Sequence, residues 1–288
     1  MNSLSKSNLS RITRTLETSE KHIYTPKDLD RIRLATPGAR SKSKNIFCRL
    51  LVEATDLRRL ELNSTSYGKI IRYGWGKPCP YEVALSVKEP AYLSHASAAF
   101  LHRLLPEEPQ TIYVNAEQGP KPQSGSLSQE AVDRAFALKQ RRSNFIYEFM
   151  GRRLVVIRGK HTGNLGVETL STPAGRVLRG TNLERTLIDL VVRTTYAGSV
   201  QHVLQAYRKA KGRLSVDRLV ATLGKLNYVY PYQQAIGFYM DRAGYDESCL
   251  RSLRRLRLDL DFYLTHGIPK KHFDAKWRVF YPVGIANR

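Results

Sequence analysis

His95 and His102 stand seven residues apart in an Ala-rich stretch, and two imidazoles on one helix face are half of a metal site. No carboxylate or cysteine lies one turn from either, and metal ligands cluster, so the pair reads as polar positions of a helix and no metal is expected. Asp274-Ala275-Lys276, downstream of Asp261, has the acid-x-lysine pattern with which metal-dependent nucleases hold Mg²⁺ and activate water. With 25 acidic residues in 288, chance alone supplies about one or two such triplets, and a pattern is not a site. A Mg-dependent nuclease using Asp261, Asp274 and Lys276 is therefore an alternative reading. The phosphate-loop, dinucleotide and zinc-protease signatures do not occur, so no cofactor is expected. Cys48, Cys79 and Cys249 are distant and odd in number, which excludes a disulfide framework and fits a reducing cytoplasm.

The chemistry that the sequence does carry is charge. Lys and Arg number 47 against 25 Asp and Glu, a net charge of +22, and such an excess concentrates anions around the molecule. Nucleic acid is the partner to expect. Residues 1–80 hold 16 basic and 7 acidic side chains, nearly twice the basic surplus per residue of the remainder. Charges interrupt every apolar stretch, so no membrane span is expected. The first residues lack the apolar centre of a secretory signal, and the chain is expected to be cytoplasmic and unprocessed.

The basic residues need elements to present them. Leu9, Ile12 and Leu16 form the stripe of an amphipathic helix. Thr25-Pro26-Lys27-Asp28 supplies a hydroxyl cap, a proline at the first helical position and an acid, so a second helix is predicted through about Leu34. Thr36-Pro37-Gly38 forces a turn. From Ser43 to Ala54, Ile46, Phe47, Leu50, Leu51 and Ala54 share one face, while Lys42, Lys44, Asn45, Cys48 and Arg49 face elsewhere. Two extended runs around Asn63–Gly68 then predict a hairpin. Helix, short helix, turn, basic helix and basic hairpin is the order of a winged helix-turn-helix. The start of its second helix would meet the major groove, where Arg, Lys and Asn read base edges and free N–H groups meet phosphate. Arg40, Lys42, Ser43, Lys44, Asn45 and Arg49 are the candidates there, and Arg58, Arg59, Lys69 and Arg72 are expected on the phosphate backbone from the wing. The competing reading is a solvated basic face on a winged helix that serves protein contacts.

Turn formers at Gly74–Pro80 place the end of a first domain at residue 80. Residues 81–288 alternate helical and extended patterns, so the fold class is α+β: an N-terminal winged helix, then a larger mixed α/β domain with a central sheet of about five strands and a C-terminal helical part. Predicted strands lie at 111–114, 145–149, 154–157, 167–170 and 176–178, with a last one at 277–281. Ser94 caps an Ala-rich helix, Thr181-Asn182-Leu183-Glu184 forms a capping box for the next, and helices are predicted at 200–211, 215–226, 232–243 and 247–257. Gln118–Ser126 reads as an exposed loop. Lys139, Arg141, Arg142, Arg152, Arg153, Arg158 and Lys160, and a late group at Arg251, Arg254, Arg255 and Arg257, read either as solvated faces or as extensions of a nucleic-acid footprint. Tyr228, Tyr230, Tyr232 and Tyr239 are expected to pack internally.

The winged-helix start, Tyr92-Leu93-Ser94-His95-Ala96-Ser97-Ala98-Ala99-Phe100-Leu101-His102, Leu183-Glu184-Arg185-Thr186-Leu187-Ile188-Asp189-Leu190 and Trp277-Arg278-Val279-Phe280-Tyr281-Pro282 together resemble the AbiEi family of type IV antitoxins. The resemblance spans nearly the whole chain. It implies a non-enzymatic phage-defence protein that represses its own operon by binding double-stranded promoter DNA through the winged helix. It also implies a C-terminal domain, 81–288, that counters a nucleotidyltransferase-like toxin without a stable complex being required. A transcriptional regulator lacking a toxin partner is a further alternative.

Overall fold

Ser5, Thr25 and Ser43 each place a side-chain oxygen where the first turn of a helix has unpaired N–H groups. Each starts a helix in the computed structural model, which describes residues 4–122 and 127–285. The helices are α1 (Lys6–Glu17), α2 (Pro26–Ala35) and α3 (Lys44–Ala54), with strand β1 (Ile23–Tyr24) between the first two. At Thr25 the full reciprocal cap forms: its hydroxyl accepts from the Asp28 N–H at 3.2 Å, and the Asp28 carboxylate accepts from the Thr25 N–H at 2.8 Å. Strands β2 (Leu57–Ser64) and β3 (Gly68–Trp75) make the predicted hairpin, and β1 runs antiparallel to β3. Ile12, Leu16, Leu29, Phe47, Leu51, Leu57 and Tyr73 meet in one core. Cys48, expected outside, is buried in it and Ala54 is exposed, so the apolar stripe of α3 is rotated by about one residue from the predicted one.

The expected boundary at residue 80 is not where the chain divides. The first unit comprises residues 1–91 with 144–156, and the second 92–143 with 157–288. Two contacts account for the extension. Helix α4 (Pro80–Leu85) follows the turn formers, and its terminal carbonyls are held by a side chain of β3. Strands β6 (Ile146–Phe149) and β7 (Arg152–Ile157) form a hairpin whose first strand pairs with β2 at Asn63 and Glu148. The turn joining them, Met150-Gly151, has φ of +48° and +74°, the left-handed geometry that two-residue hairpin turns require. A period-two pattern declares a strand but not the sheet that it joins, and these two predicted strands fall, up to Val156, in the first unit and not with the rest of residues 81–288.

The second unit carries a mixed sheet in the order β5 (Thr111–Asn115), β4 (Tyr92–Leu93), β9 (Val177–Thr181), β8 (Val167–Ser171); β4 is parallel to β9 and the other pairs are antiparallel. The helices are α5 (His95–Leu101), α6 (Gln129–Ala137), α7 (Leu183–Val192), α8 (Val200–Ala210), α9 (Val216–Leu226), α10 (Tyr232–Arg242) and α11 (Glu247–Arg254); α6 lies where none is predicted, and the other six follow the predicted order. Strands β10 (Phe262–Tyr263), β11 (Lys271–Asp274) and β12 (Val279–Pro282) make a second sheet, with β12 central. Part of the predicted 118–126 loop, residues 123–126, lies outside the described residues. Among the described residues no helix is long and apolar enough to cross a membrane.

Helix α7 is buried along nearly its whole length, polar residues included. Its cap is Asn182, which accepts from the Arg185 N–H at 2.9 Å, and not the predicted Thr181–Glu184 box. Glu184 instead receives the Arg218 guanidinium and the Ser215 N–H, and Asp189 receives Arg185 at 2.8 Å. Buried charges persist only when paired in this way. The tyrosines pack as expected, with Tyr239 fully buried and stacked on Tyr207.

A Cβ built at Gly237 on α10 would stand 2.1 Å from the Trp277 ring, which is fully buried. Gly237→Ala is therefore expected to lower stability by about 3 kcal/mol, the cost of overpacking. Gly224→Ala, with open space on α9, is expected to be neutral or slightly stabilising; a urea-unfolding series compares the two. Burial between Tyr113 and Tyr196 pushes the His95 imidazole down to about 4, so it folds neutral. Below the ordinary value of 6.5 the unfolded chain takes up a proton that the folded chain refuses, and stability falls as the pH drops from 6.5 toward 4. Lowering the pH from 7.5 to 5 should cost about 2 kcal/mol through this residue. Urea midpoints at both pH values check this: His95→Asn should show a correspondingly shallower fall, and an equally steep fall in the variant refutes it.

Candidate nucleic-acid interface

The backbone entering α3 is held by an arginine that the sequence analysis did not single out. Arg33, in the last turn of α2, donates to the carbonyl oxygens of Arg40 at 2.7 Å and Lys42 at 3.0 Å, and is itself oriented by Asp30 at 2.8 Å. Asn8 of α1 donates to the Pro37 carbonyl at 2.6 Å. Together they pin residues 37–42, and Ser43 then caps α3 by accepting from the Ile46 N–H. A basic residue in the last turn of a helix is a visible signal that it will serve carbonyl oxygens. Which carbonyls it reaches was not visible.

The first turns of α3 present an exposed polar face. Ser41, Ser43, Asn45 and Arg49 are exposed, and Lys42 and Lys44 are half-buried. Asn45 and Arg49 are four residues apart and so share a side of the helix, opposite Phe47 and Leu51 in the core. Arg49 pairs with Glu53 at 3.8 Å, both well exposed. Arg40 is exposed as well, but its Nε donates to the Leu34 carbonyl at 2.6 Å, which ties it to the end of α2.

The hairpin divides its four candidates between two faces. Register pairs Arg59 with Tyr73, Glu61 with Ile71 and Asn63 with Lys69, while Arg58 faces Gly74 and Leu60 faces Arg72. Successive strand residues point to opposite sides, so Arg59 and Lys69 lie on one face, and Arg58 and Arg72 on the other. On the first face the Glu61 carboxylate accepts from both Arg59 and Lys69, the latter at 2.7 Å. The Lys69 and Arg59 hydrogen bonds hold it below the usual carboxylate range. Arg58 is exposed beside Asp56 at 3.4 Å.

Arg72 corrects the sequence reading. It was expected on phosphate, yet only 9% of it is exposed. Its Nε and Nη2 donate to the Ser86 carbonyl at 2.9 and 2.7 Å, and Nη2 also to that of Val87 at 3.2 Å. Burial lowers its pKa from the ordinary value. Strand parity puts Arg72, three residues from Lys69, on the other face, and the Ser86 and Val87 carbonyls cover it there.

The residues of the nuclease alternative are scattered into separate pairs. Asp261 binds Arg278 at 2.8 Å, Asp274 lies 3.5 Å from Arg242 and accepts from the Trp277 N–H, and Lys276 binds Asp241 at 2.7 Å. His95 is 2.9 Å from the Ser94 hydroxyl, and His102 is 2.8 Å from the Thr181 carbonyl. Among the described residues no group of three or more His, Cys, Asp or Glu side chains is placed to hold a metal.

In the remaining basic groups Lys139, Arg141, Arg142, Arg153, Arg158, Arg251, Arg255 and Arg257 are exposed. Lys160 is occupied by the carbonyls of Leu226 and Asn227 at 2.9 and 2.6 Å.

Replacing Arg72 leaves two buried carbonyls without their donor. Arg72→Met is expected to cost about 2 kcal/mol, and Arg58→Ala less than about 0.5 kcal/mol. Thermal denaturation measures both, and an unchanged midpoint for Arg72→Met would refute the buried-anchor assignment.

No protein family and no curated protein matches the chain. Its fold is similar to the crystal structure of the RV2827C protein from Mycobacterium tuberculosis, with a TM-score of 0.58 at 14% identity, over 97% of this chain and 92% of that one.

Proposed function

We propose that the first unit is a winged helix-turn-helix that binds double-stranded DNA, and that the chain is a transcriptional autorepressor and antitoxin. The observation that carries the DNA-binding half is the order α1-β1-α2-α3-β2-β3 with β1 closing on β3. Such a scaffold presents the start of its third helix to the major groove and its hairpin to the backbone. Ser43, Lys44, Asn45 and Arg49 then lie on the helix that reads bases, with Lys42 at its start. Arg59 and Lys69 are the phosphate contacts on one wing face and Arg58 on the other. Their present partners are surface carboxylates, and exposed ion pairs of this kind are worth about 0–1 kcal/mol, so phosphate displaces them at small cost. The net charge of +22 supplies the salt-dependent part of the affinity.

The antitoxin half rests on the resemblance carried by residues 92–102, 183–190 and 277–282. These segments form much of the core of the second unit, including Leu187, Ile188 and Trp277. The partner in this reading is a nucleotidyltransferase-like toxin. Co-expression with such a protein encoded beside this gene tests it: restored growth supports the antitoxin role, and persistent toxicity removes it.

Gel-shift titration against the upstream region and an unrelated fragment, at two salt concentrations, tests the DNA-binding half. A preference for the upstream fragment that persists at the higher salt is expected. Lys42→Ala and Lys44→Ala should each weaken binding and lower the salt slope by about one. Unchanged affinity and slope in both variants would sink the placement of α3 in the groove.

A further inference from the structure

Strand alternation fixes which face of the wing hairpin lies on the side of the helices. Leu57, Ile71, Tyr73 and Trp75 pack in or against the core that α1, α2 and α3 share, and Arg59, Glu61, Asn63 and Lys69 have the same parity. Toward the hairpin tip this face runs out beyond the buried residues, where Asn63 and Lys69 are exposed. Arg58 and Arg72 lie on the face turned away from α3.

The face does not stop at β2. A two-stranded hairpin is marginal by itself, and this one is widened by β6 and β7. Register carries one row across four strands: Lys69 faces Asn63, Asn63 faces Glu148 and Glu148 faces Arg153. All four are exposed. The tip is fastened to the same segment, because the Tyr67 hydroxyl donates to the Asn144 side chain at 3.3 Å and its ring lies 4.6 Å from that of Phe145. At about 4.8 Å per strand, Lys69 and Arg153 stand about 14 Å apart on one platform.

Arg153 differs from the other cations of this face in having no competitor. The Glu61 carboxylate accepts from both Arg59 and Lys69, so a phosphate must displace it there. Among the described residues no carboxylate pairs with Arg153, and Glu148, its neighbour in the row, makes no ion pair. Arg152 takes the opposite face by parity and is half-buried. Of the basic residues between 139 and 160, register therefore singles out Arg153.

We infer that the DNA surface of the first unit spans the four-stranded face β3-β2-β6-β7, and that Arg153 holds a phosphate of the duplex outside the reach of the hairpin. The inference rests on the DNA-binding reading proposed above, and it assigns a contact to a strand that the winged-helix order does not contain.

Gel-shift salt titrations of the full chain on the upstream and unrelated fragments test it, with Arg153→Gln set beside Lys88→Gln. Lys88 is exposed and adjoins Val87, whose carbonyl Arg72 reaches on the opposite face, so the second variant removes the same charge from the other side of the sheet. Arg153→Gln is expected to weaken binding about fivefold at about 0.1 M salt and to lower the salt slope by about one. Lys88→Gln should bind as the parent does, and Arg153→Lys, which keeps the charge, should restore the slope. Both Gln variants replace exposed side chains and should melt with the parent. Equal losses in the two Gln variants would mean that net charge alone is responsible, and unchanged binding by Arg153→Gln would mean that the contact is absent. Either result overturns the assignment and leaves DNA binding by α3 standing. A parent chain that binds neither fragment removes the DNA-binding reading, and this assignment with it.

Discussion

Strand β3 must close two packed layers at once, and its alternation decides the role of every side chain on it. Tyr73 turns to the core formed by α1, α2 and α3. Its neighbour Arg72 turns the opposite way, to the carbonyls that end α4. A strand with one wet face would leave each alternate residue free for a partner; this one is buried on both sides at its inner end and free only toward the hairpin tip. On β3 itself that leaves Lys69 near the tip, and the exposed Arg58 and Arg59 belong to the neighbouring β2.

The same division between structural and available charge runs through the molecule. Arg33, Arg72, Arg185 and Lys160 are committed to carbonyl oxygens or a buried carboxylate. Arg49, Arg58, Arg59 and Lys69 sit at the surface against carboxylates they hold weakly. A cation that satisfies buried acceptors cannot leave without stranding them, whereas an exposed pair exchanges its partner readily. The net charge counts both kinds alike; only the second kind can neutralise a polyanion.

In the second unit the polar residues of α7 show how tertiary partners override local rules. Glu184 stands close to where a capping box would use it, and the sequence offers no reason to prefer another role. Arg218 on α9 approaches from more than thirty residues away, and the bidentate pair that it forms outcompetes a single backbone hydrogen bond. The cap passes to Asn182, whose side chain reaches the Arg185 N–H. Trp277 makes a similar demand on α10, where the absence of a side chain at Gly237 is what lets the ring lie against the helix.

Local patterns determined much of this protein unaided. Hydroxyl caps, the proline at the start of α2, apolar stripes and the hairpin turn located the three helices and the hairpin of residues 1–75, though not β1, and the run of late helices, because each signal acts within a few residues. The basic and polar start of α3 was equally legible, since caps and helical period set which side chains face outward there. Tertiary structure alone decided the rest. It gave residues 144–156 to the first unit, rotated Cys48 inward, chose Arg33 to fix the backbone ahead of α3 and withdrew Arg72 from the surface. These outcomes depend on which distant segment arrives to cover a face or claim a carbonyl, and no local propensity encodes that arrival. Strand alternation alone separates Lys69 from Arg72, and the fold decided that the position of Arg72 would be covered.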